Sequence, residues 1–248
     1  MISFRSVSKS FVDANGRETV ALRDLSLSID AGEVHCLIGT SGCGKTTSLR
    51  LVNRLEEPSA GQVLVGGEDV AGVDIIRLRR RIGYVIQSGG LFPHMTVAQN
   101  ISVLNVLEGQ RPDQMERRVN ELLDLVHLEA AQFAARYPGE LSGGQRQRVG
   151  IARALALDPE YLLMDEPFGA LDPITRSQLL EDLQPLFKDL GKTVLLVTHD
   201  LEEAFAIGHR VTLLHQGSLV QTGPPGELMN APANDFVTQF LRTVRRQS

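Results

Sequence analysis

A chain of 248 residues, 42% of them hydrophobic, is long enough to bury a sizeable core as one large domain or a domain with an inserted subdomain. A net charge of −5 excludes a global basic footprint for nucleic acid; two cysteines, Cys36 and Cys43, exclude a finger-type metal site and fit a reducing cytosol. No apolar run approaches the roughly 20 residues that cross a bilayer, and the N-terminal MISFRSVSKSF lacks a signal peptide's apolar stretch, so the chain is expected to be soluble on its own.

In chain order, Phe11 precedes a segment in which Leu25, Leu27 and Ile29 alternate with Ser26, Ser28 and Asp30. A period of two reads as a strand with one solvated face, which suits an antiparallel sheet. Phe11 has two readings, a platform on which a base stacks or core filler. The next run, VHCLIG, is apolar on both faces and reads as a central parallel strand. It feeds GTSGCGKTT, in which Gly39, Thr40, Ser41, Gly42, Cys43 and Gly44 precede Lys45, Thr46 and Thr47 and then the helix-like SLRLVNRL. Strand, glycine-rich loop and helix in this order let backbone N–H groups curl around phosphate oxygens at a helix N-terminus. Lys45 would reach the outer phosphates and the Thr46 hydroxyl would ligate Mg²⁺. The arginines 77, 79, 80 and 81 read either as a solvated helix face or as a polyanion site.

After RIGYVI, Gln87 stands at another strand end as a neutral ligand for Mg²⁺ or water. Between Gln87 and Asp158 the pattern turns helical. Asp113 and Glu116 look like a capping pair ahead of Met115, Val119, Leu122, Leu123 and Val126. A further helix starts at Ser142, where Ser142 and Gln145 have capping-box spacing, yet Gly143 and Gly144 fill its first turn. Glycine costs about 0.5–1 kcal/mol relative to alanine in a helix, so this start calls for a close approach by something else. YLLMDE is a second apolar strand, ending in Asp165 and Glu166. Such adjacent carboxylates serve as a helix cap or solvated pair, or else hold Mg²⁺ through water (Asp165) and activate a water (Glu166). TVLLVT leads to His199, a surface residue or a γ-phosphate sensor, with Asp200 and Glu203 spaced to cap the next helix. The tail from Gly217 has turns at Gly223-Pro224-Pro225 and a final amphipathic stretch around Phe236, Phe240 and Leu241. No Asn-Lys-x-Asp string of the kind that reads guanine occurs, and Phe11 could stack on a base, which favours adenine.

With GTSGCGKTT, Gln87, LSGGQ, YLLMDE, GALD and His199 in this order, the chain resembles the ATPase subunits of ABC transporters over nearly its whole length. The resemblance implies an α/β fold, a P-loop NTPase of the ABC ATPase type: a mostly parallel central sheet with an N-terminal antiparallel β-subdomain and an inserted helical subdomain. Its boundaries would be 1–87 and 159–216 for the ATP-binding core, 88–158 for the helical insert carrying LSGGQ, and 217–248 for a tail without CBS domains. Two copies would bind ATP head to tail, each ATP lying on one copy's phosphate loop and against Ser142, Gly143, Gly144 and Gln145 of the other, with Asp172 crossing the interface. Phe11 would be the adenine platform, although tyrosine is common there; Lys45 and Thr46 the phosphate and Mg²⁺ ligands; Gln87 the link to the transporter; Glu166 the catalytic carboxylate; His199 the switch histidine. Gly169 opens GALD where serine is usual, which removes no catalytic group.

The partners implied are integral-membrane permease subunits and, indirectly, an extracytoplasmic substrate-binding protein. The chain itself would lie peripherally on the cytoplasmic face of the membrane. SGGLFPHMTVAQNI, after Gln87, would meet the permease, with Leu91 and Phe92 either at that joint or in the core. LVNRLEEPSAGQV, RIGYVIQSGGLFPHMTV and PANDFVTQFL look most like ATPases of importers for glycine betaine, choline or carnitine, with polar amino acids the next choice. A soluble ABC ATPase acting on nucleic acid or ribosomes, which generally carries long insertions or two cassettes, and a P-loop kinase, which should lack LSGGQ, are the competing readings.

Overall fold

The computed structural model describes residues 1–87, 89–189 and 191–245. It divides into two compact units, Met1–Arg79 with Gly191–Ser248, and Arg80–Leu190.

The first unit opens with β1 (Ile2–Val12) and β2 (Glu18–Ile29), followed by β3 (Val34–Gly39), α1 (Lys45–Val52), β4 (Ala60–Val65), β5 (Glu68–Asp69) and α2 (Ile75–Arg80). β2, β1, β4 and β5 form an antiparallel sheet in that order. The alternation seen in the sequence is its inner face: Leu25, Leu27 and Ile29 are buried and Ser26 and Ser28 exposed. Leu22 keeps the same face only because the register with β1 shifts between Leu22 and Leu25, where Asp24 takes a positive φ of 47°. β3 is buried on both faces along its whole length, as the apolar run predicts.

In the second unit, β6 (Ile82–Val85) is followed by α3 (Val97–Leu107), α4 (Pro112–Leu125), α5 (Ala130–Phe133), a 3-10 turn (Pro138–Glu140), α6 (Gly143–Ala154), β7 (Tyr161–Asp165) and α7 (Pro173–Asp189). β6 and β7 pair in parallel. α4 differs from its expected start. Its N-cap is Arg111, Pro112 occupies the first turn, and Asp113 lies inside that turn, where its charge meets the helix dipole instead of capping. α3, not anticipated, begins with a full capping box between Thr96 and Gln99.

The chain then returns to the first unit with β8 (Thr193–Val197), α8 (Leu201–Ile207), β9 (Arg210–His215), β10 (Ser218–Gly223), α9 (Pro225–Asn230) and α10 (Asp235–Arg245). β3 pairs in parallel with both β8 and β9, and β10 adds antiparallel to β9. β3 is therefore an inner strand whose C-terminal end carries the phosphate-loop sequence. No helix among the described residues is long and apolar enough to cross a membrane. The four arginines at 77–81 are engaged: Arg77 with Glu68, Arg79 with the carbonyls of Asn53 and Arg54, Arg80 with Glu108, and Arg81 with both carboxylate oxygens of Glu160.

One polar group interrupts the core of β3. His35 is fully buried, its Nδ1 2.6 Å from Glu33 Oε1 and its Nε2 2.7 Å from Thr212 Oγ1, which in turn bonds Thr222. Burial pushes the Glu33 carboxyl up, but the His35 hydrogen bond, the Asp30 N–H and the charges of His35 and Arg210 outweigh it and hold its pKa below the ordinary 4.5. A depressed carboxyl stabilises the fold fully above its unfolded pKa, and that contribution disappears as pH falls through the lower folded value. Glu33→Gln should therefore cost about 1–3 kcal/mol at neutral pH. Urea unfolding as a function of pH should show the gap between variant and wild type closing as pH falls below the ordinary carboxyl value of 4.5.

Candidate functional site

In the first unit the site begins where β3 stops. Gly39 has φ +147°, and a Cβ there would lie 2.2 Å from the Leu214 carbonyl of β9. Gly44, at φ +103°, is the N-cap of α1 and offers it no side-chain cap. A Cβ on Gly44 would sit 2.6 Å from the Ala21 carbonyl and 2.5 Å from Leu22 Cδ2. The loop thus reaches the helix start with its backbone bare, the arrangement that leaves N–H groups and the dipole's positive end for an anion. Lys45, 6% exposed, donates from Nζ to the carbonyls of Gly39 at 2.8 Å and Thr40 at 3.1 Å. Thr40, Ser41 and Gly42 are exposed, and Thr46 and Thr47 are half-buried at the first turn of α1. Cys43 is buried, and that burial raises its thiol pKa against the lowering effect of Lys45.

Phe11 is 40% exposed on β1, so it is not core filler. The Lys9 ammonium lies 4.7 Å above the ring centroid, a cation–π pair that sequence reasoning missed although residues two apart on a strand share a face. His199 is exposed and follows β8, the parallel neighbour of β3, so it emerges at the same sheet edge as the loop. Asp200 caps α8 as its spacing predicts, accepting from the N–H groups of Glu202 and Glu203. Glu203 does not reciprocate; its carboxylate takes the Thr198 hydroxyl.

In the second unit, Gln87 follows β6 and the Asp165-Glu166 pair ends β7, so all three lie at the C-terminal end of one parallel pair. Gln87 Nε2 is 3.4 Å from Glu166 Oε2. Glu166 has φ +45°, a conformation that costs a non-glycine residue about 1 kcal/mol and that recurs where a side chain must be aimed. Asp172 is exposed and accepts from the Thr175 N–H at 3.1 Å; the bonds to Thr175 hold its carboxyl below the ordinary carboxylate range.

The LSGGQ start contains the capping box its spacing predicts. Gln145 N–H donates to Ser142 Oγ at 3.2 Å and Ser142 N–H to Gln145 Oε1 at 2.9 Å. Ser142 is exposed and Gly143 half-buried, but Gly144 is buried. A Cβ on Gly144 would stand 2.8 Å from Thr175 Cγ2, so this glycine has a reason inside its own chain that the sequence did not reveal.

The second unit also carries an open groove of about 530 Å³ walled by Ile82, Ile86, Phe92, Leu104 and Leu107, with Arg153 beside them. Phe92 is 42% exposed and Leu107 74%, so Phe92 belongs to this groove and not to the core. Ser88, at the head of the stretch expected to meet a permease, lies outside the described residues. Arg153 escaped the sequence reading, because nothing in the helical pattern distinguishes it from the other arginines of α6.

Residues 22–169 match a family model described as ABC transporter. An osmoprotectant import ATP-binding protein of Salmonella typhimurium is 46% identical over 99% of this chain and 65% of its own length. A choline transport ATP-binding protein of Bacillus subtilis is 48% identical over 97% of this chain and 62% of its own length. The chain spans less than two thirds of the length of either relative. A solved dimeric ATP-binding cassette in a post-hydrolysis state, bound to ADP and Pi, matches with a TM-score of 0.80 at 32% identity, covering 91% of this chain and 99% of that one.

The contact between Gly144 and Thr175 gives a sharp test of what Gly144 is for. Gly144→Ala should destabilise the fold by about 1 kcal/mol despite alanine's better helix propensity. Thr175→Ser, which removes the methyl the new Cβ meets, should recover most of that loss in a double-mutant cycle read by chemical denaturation.

Proposed function

The chain belongs to the ABC transporter family and has the α/β fold of its ATPase cassettes, and on that premise we propose that it binds and hydrolyses ATP to drive an importer of quaternary amines such as glycine betaine, choline or carnitine. The observation that carries the reading is that one chain holds two helix starts fit to receive phosphate: α1 behind Gly44 and Lys45, and α6 behind the exposed Ser142. A single nucleotide needs one such start. Two copies arranged head to tail use both, with α1 of one copy and α6 of the other enclosing each ATP. The cassette matched at 32% identity is dimeric, which supports an assembly of two copies.

Within that site Phe11 stacks on adenine, and the loop from Gly39 to Thr47 wraps the phosphates. Lys45 leaves the carbonyls of Gly39 and Thr40 to pair with the outer phosphate oxygens. Ser142, Gly143, Gly144 and Gln145 approach the γ-phosphate from the partner copy, and Asp172 crosses to it. Glu166, aimed by its left-handed backbone and next to Gln87, orients and deprotonates the attacking water; His199 senses the γ-phosphate. Such chemistry is mostly positioning and charge stabilisation.

Thr46, Gln87 and Asp165 are the oxygen donors that would hold Mg²⁺. Among the described residues no cluster of three His, Cys, Asp or Glu forms a metal cage. A hydroxyl, an amide oxygen and a carboxylate are hard oxygen donors of the kind Mg²⁺ takes, its remaining ligands coming from phosphates and water. When bound, the ion would neutralise phosphate charge.

The groove beside Gln87 is apolar and open, which suits a short helix of a permease subunit lying on the cytoplasmic membrane face. The cargo would reach that permease through an extracytoplasmic binding protein. The substrate class rests on the osmoprotectant and choline relatives.

Glu166→Gln should retain ATP binding, lower turnover by about 100-fold or more, and trap an ATP-dependent dimer seen by light scattering. A variant that stays monomeric at saturating Mg-ATP would count against the shared site. Ser142→Tyr should abolish hydrolysis while leaving nucleotide binding to the single chain unchanged; weakened binding would mean that α6 serves its own copy. Reconstituted with its permease, the chain should support uptake of glycine betaine or choline and not of polar amino acids.

A further inference from the structure

Gly89 and Gly90, which follow Gln87 closely, are fastened to the LSGGQ helix through their backbone. Near the end of α6, Arg153 donates from Nη1 to the Gly90 carbonyl at 2.8 Å and from Nη2 to the Gly89 carbonyl at 2.9 Å. One turn earlier, Gly150 faces the same loop: a Cβ there would lie 3.1 Å from Gly89 Cα and 3.2 Å from its carbonyl oxygen. A turn before that, the Arg146 carbonyl would stand 3.0 Å from a Cβ on Gly89, whose φ is +75°. Positions 146, 150 and 153 form one stripe along α6, and the loop lies in it backbone to backbone.

Arginine is suited to this joint. Its planar fork matches two successive carbonyls with two donors, whereas an ammonium is a point charge. Burial draws the Arg153 guanidinium below its usual pKa, and it still stays charged. Its carbon Cζ also lies 5.8 Å from the Phe92 ring centroid, which ties the groove wall to the same group.

We propose that Arg153 is a positioning residue that clamps the Gln87 loop onto the LSGGQ helix, so that the groove, Gln87 and Ser142 shift as one body. This rests on the reading that Gln87 serves the chain's own nucleotide while Ser142 serves the partner's. The clamp then links the two ATP sites of the dimer through a single chain. A partner pressing into the groove between Phe92 and Leu104 acts on that joint directly.

The test compares Arg153→Lys and Gly150→Ala with wild type for kcat, KM for ATP and melting temperature. Lysine keeps the charge but loses the fork. Alanine at 150 improves helix propensity, so by local structure alone it should raise the melting temperature or leave it unchanged. The clamp predicts that both variants keep KM within about twofold while kcat falls about tenfold, the size expected for losing one charge-assisted hydrogen bond. Wild-type kcat in both variants, with wild type itself active, overturns the clamp and leaves the proposed function standing. A kcat loss that tracks a lowered melting temperature and a raised KM also overturns it, since that is what a merely structural contact gives. A wild-type chain without ATPase activity removes the proposed function and the clamp together.

Discussion

The first unit is organised by two places where no side chain fits. Gly39 stands so close to the Leu214 carbonyl of β9, and Gly44 so close to the Ala21 carbonyl of β2, that the loop between them touches a strand of each sheet. The parallel and antiparallel sheets meet at the phosphate loop, and Arg23 N–H reinforces the meeting by donating to the Gly217 carbonyl at 2.8 Å in the β9–β10 turn. A Cβ at either glycine would disturb the local turn and also push a sheet. The loop's shape is thereby set by the strands on either side of it and not by side chains of its own. Preorganised donors contribute most when nothing has to move to present them.

The same economy of side chains recurs in the second unit, with a different division of labour. At the start of α6 the two glycines looked like one device for admitting a phosphate. Gly144 packs against Thr175 of α7 and the half-buried Gly143 comes close to Leu171, both within the same chain, while Ser142 is exposed. A local pattern names the residues that are bare. Which neighbour requires each to be bare is settled only by tertiary packing.

The legible parts of the sequence were those where burial is uniform or a cap is local. β3, β7 and β8 stood out because nearly every position is apolar, and the α6 and α8 starts because Ser142 and Asp200 bind N–H groups two or three residues away. α3 was missed for a physical reason. Its buried face includes Asn100 and Asn105, which break the apolar period; Asn100 is buried because its Nδ2 bonds the carbonyls of Phe92, Met95 and Thr96. The only signal there was Thr96 with Gln99, the same spacing that marked Ser142. The beginning of α4 was misplaced because an acidic residue in a first turn and one at an N-cap look alike in sequence, and Pro112 decides between them.

Net charge is a poor guide to such a molecule. At −5 the chain is acidic overall, yet its candidate ligand is a polyanion. Beyond a Debye length of about 8–10 Å that excess is largely screened, so the field at the loop is set by the groups beside it. The decisive feature is how the cation of the loop is held. Lys45 donates to the carbonyls of Gly39 and Thr40. A carboxylate in their place would have taken the same donor while cancelling the charge. Carbonyl dipoles hold the cation and leave its charge intact, so in the proposed site Lys45 would exchange two neutral partners for a phosphate and gain by it.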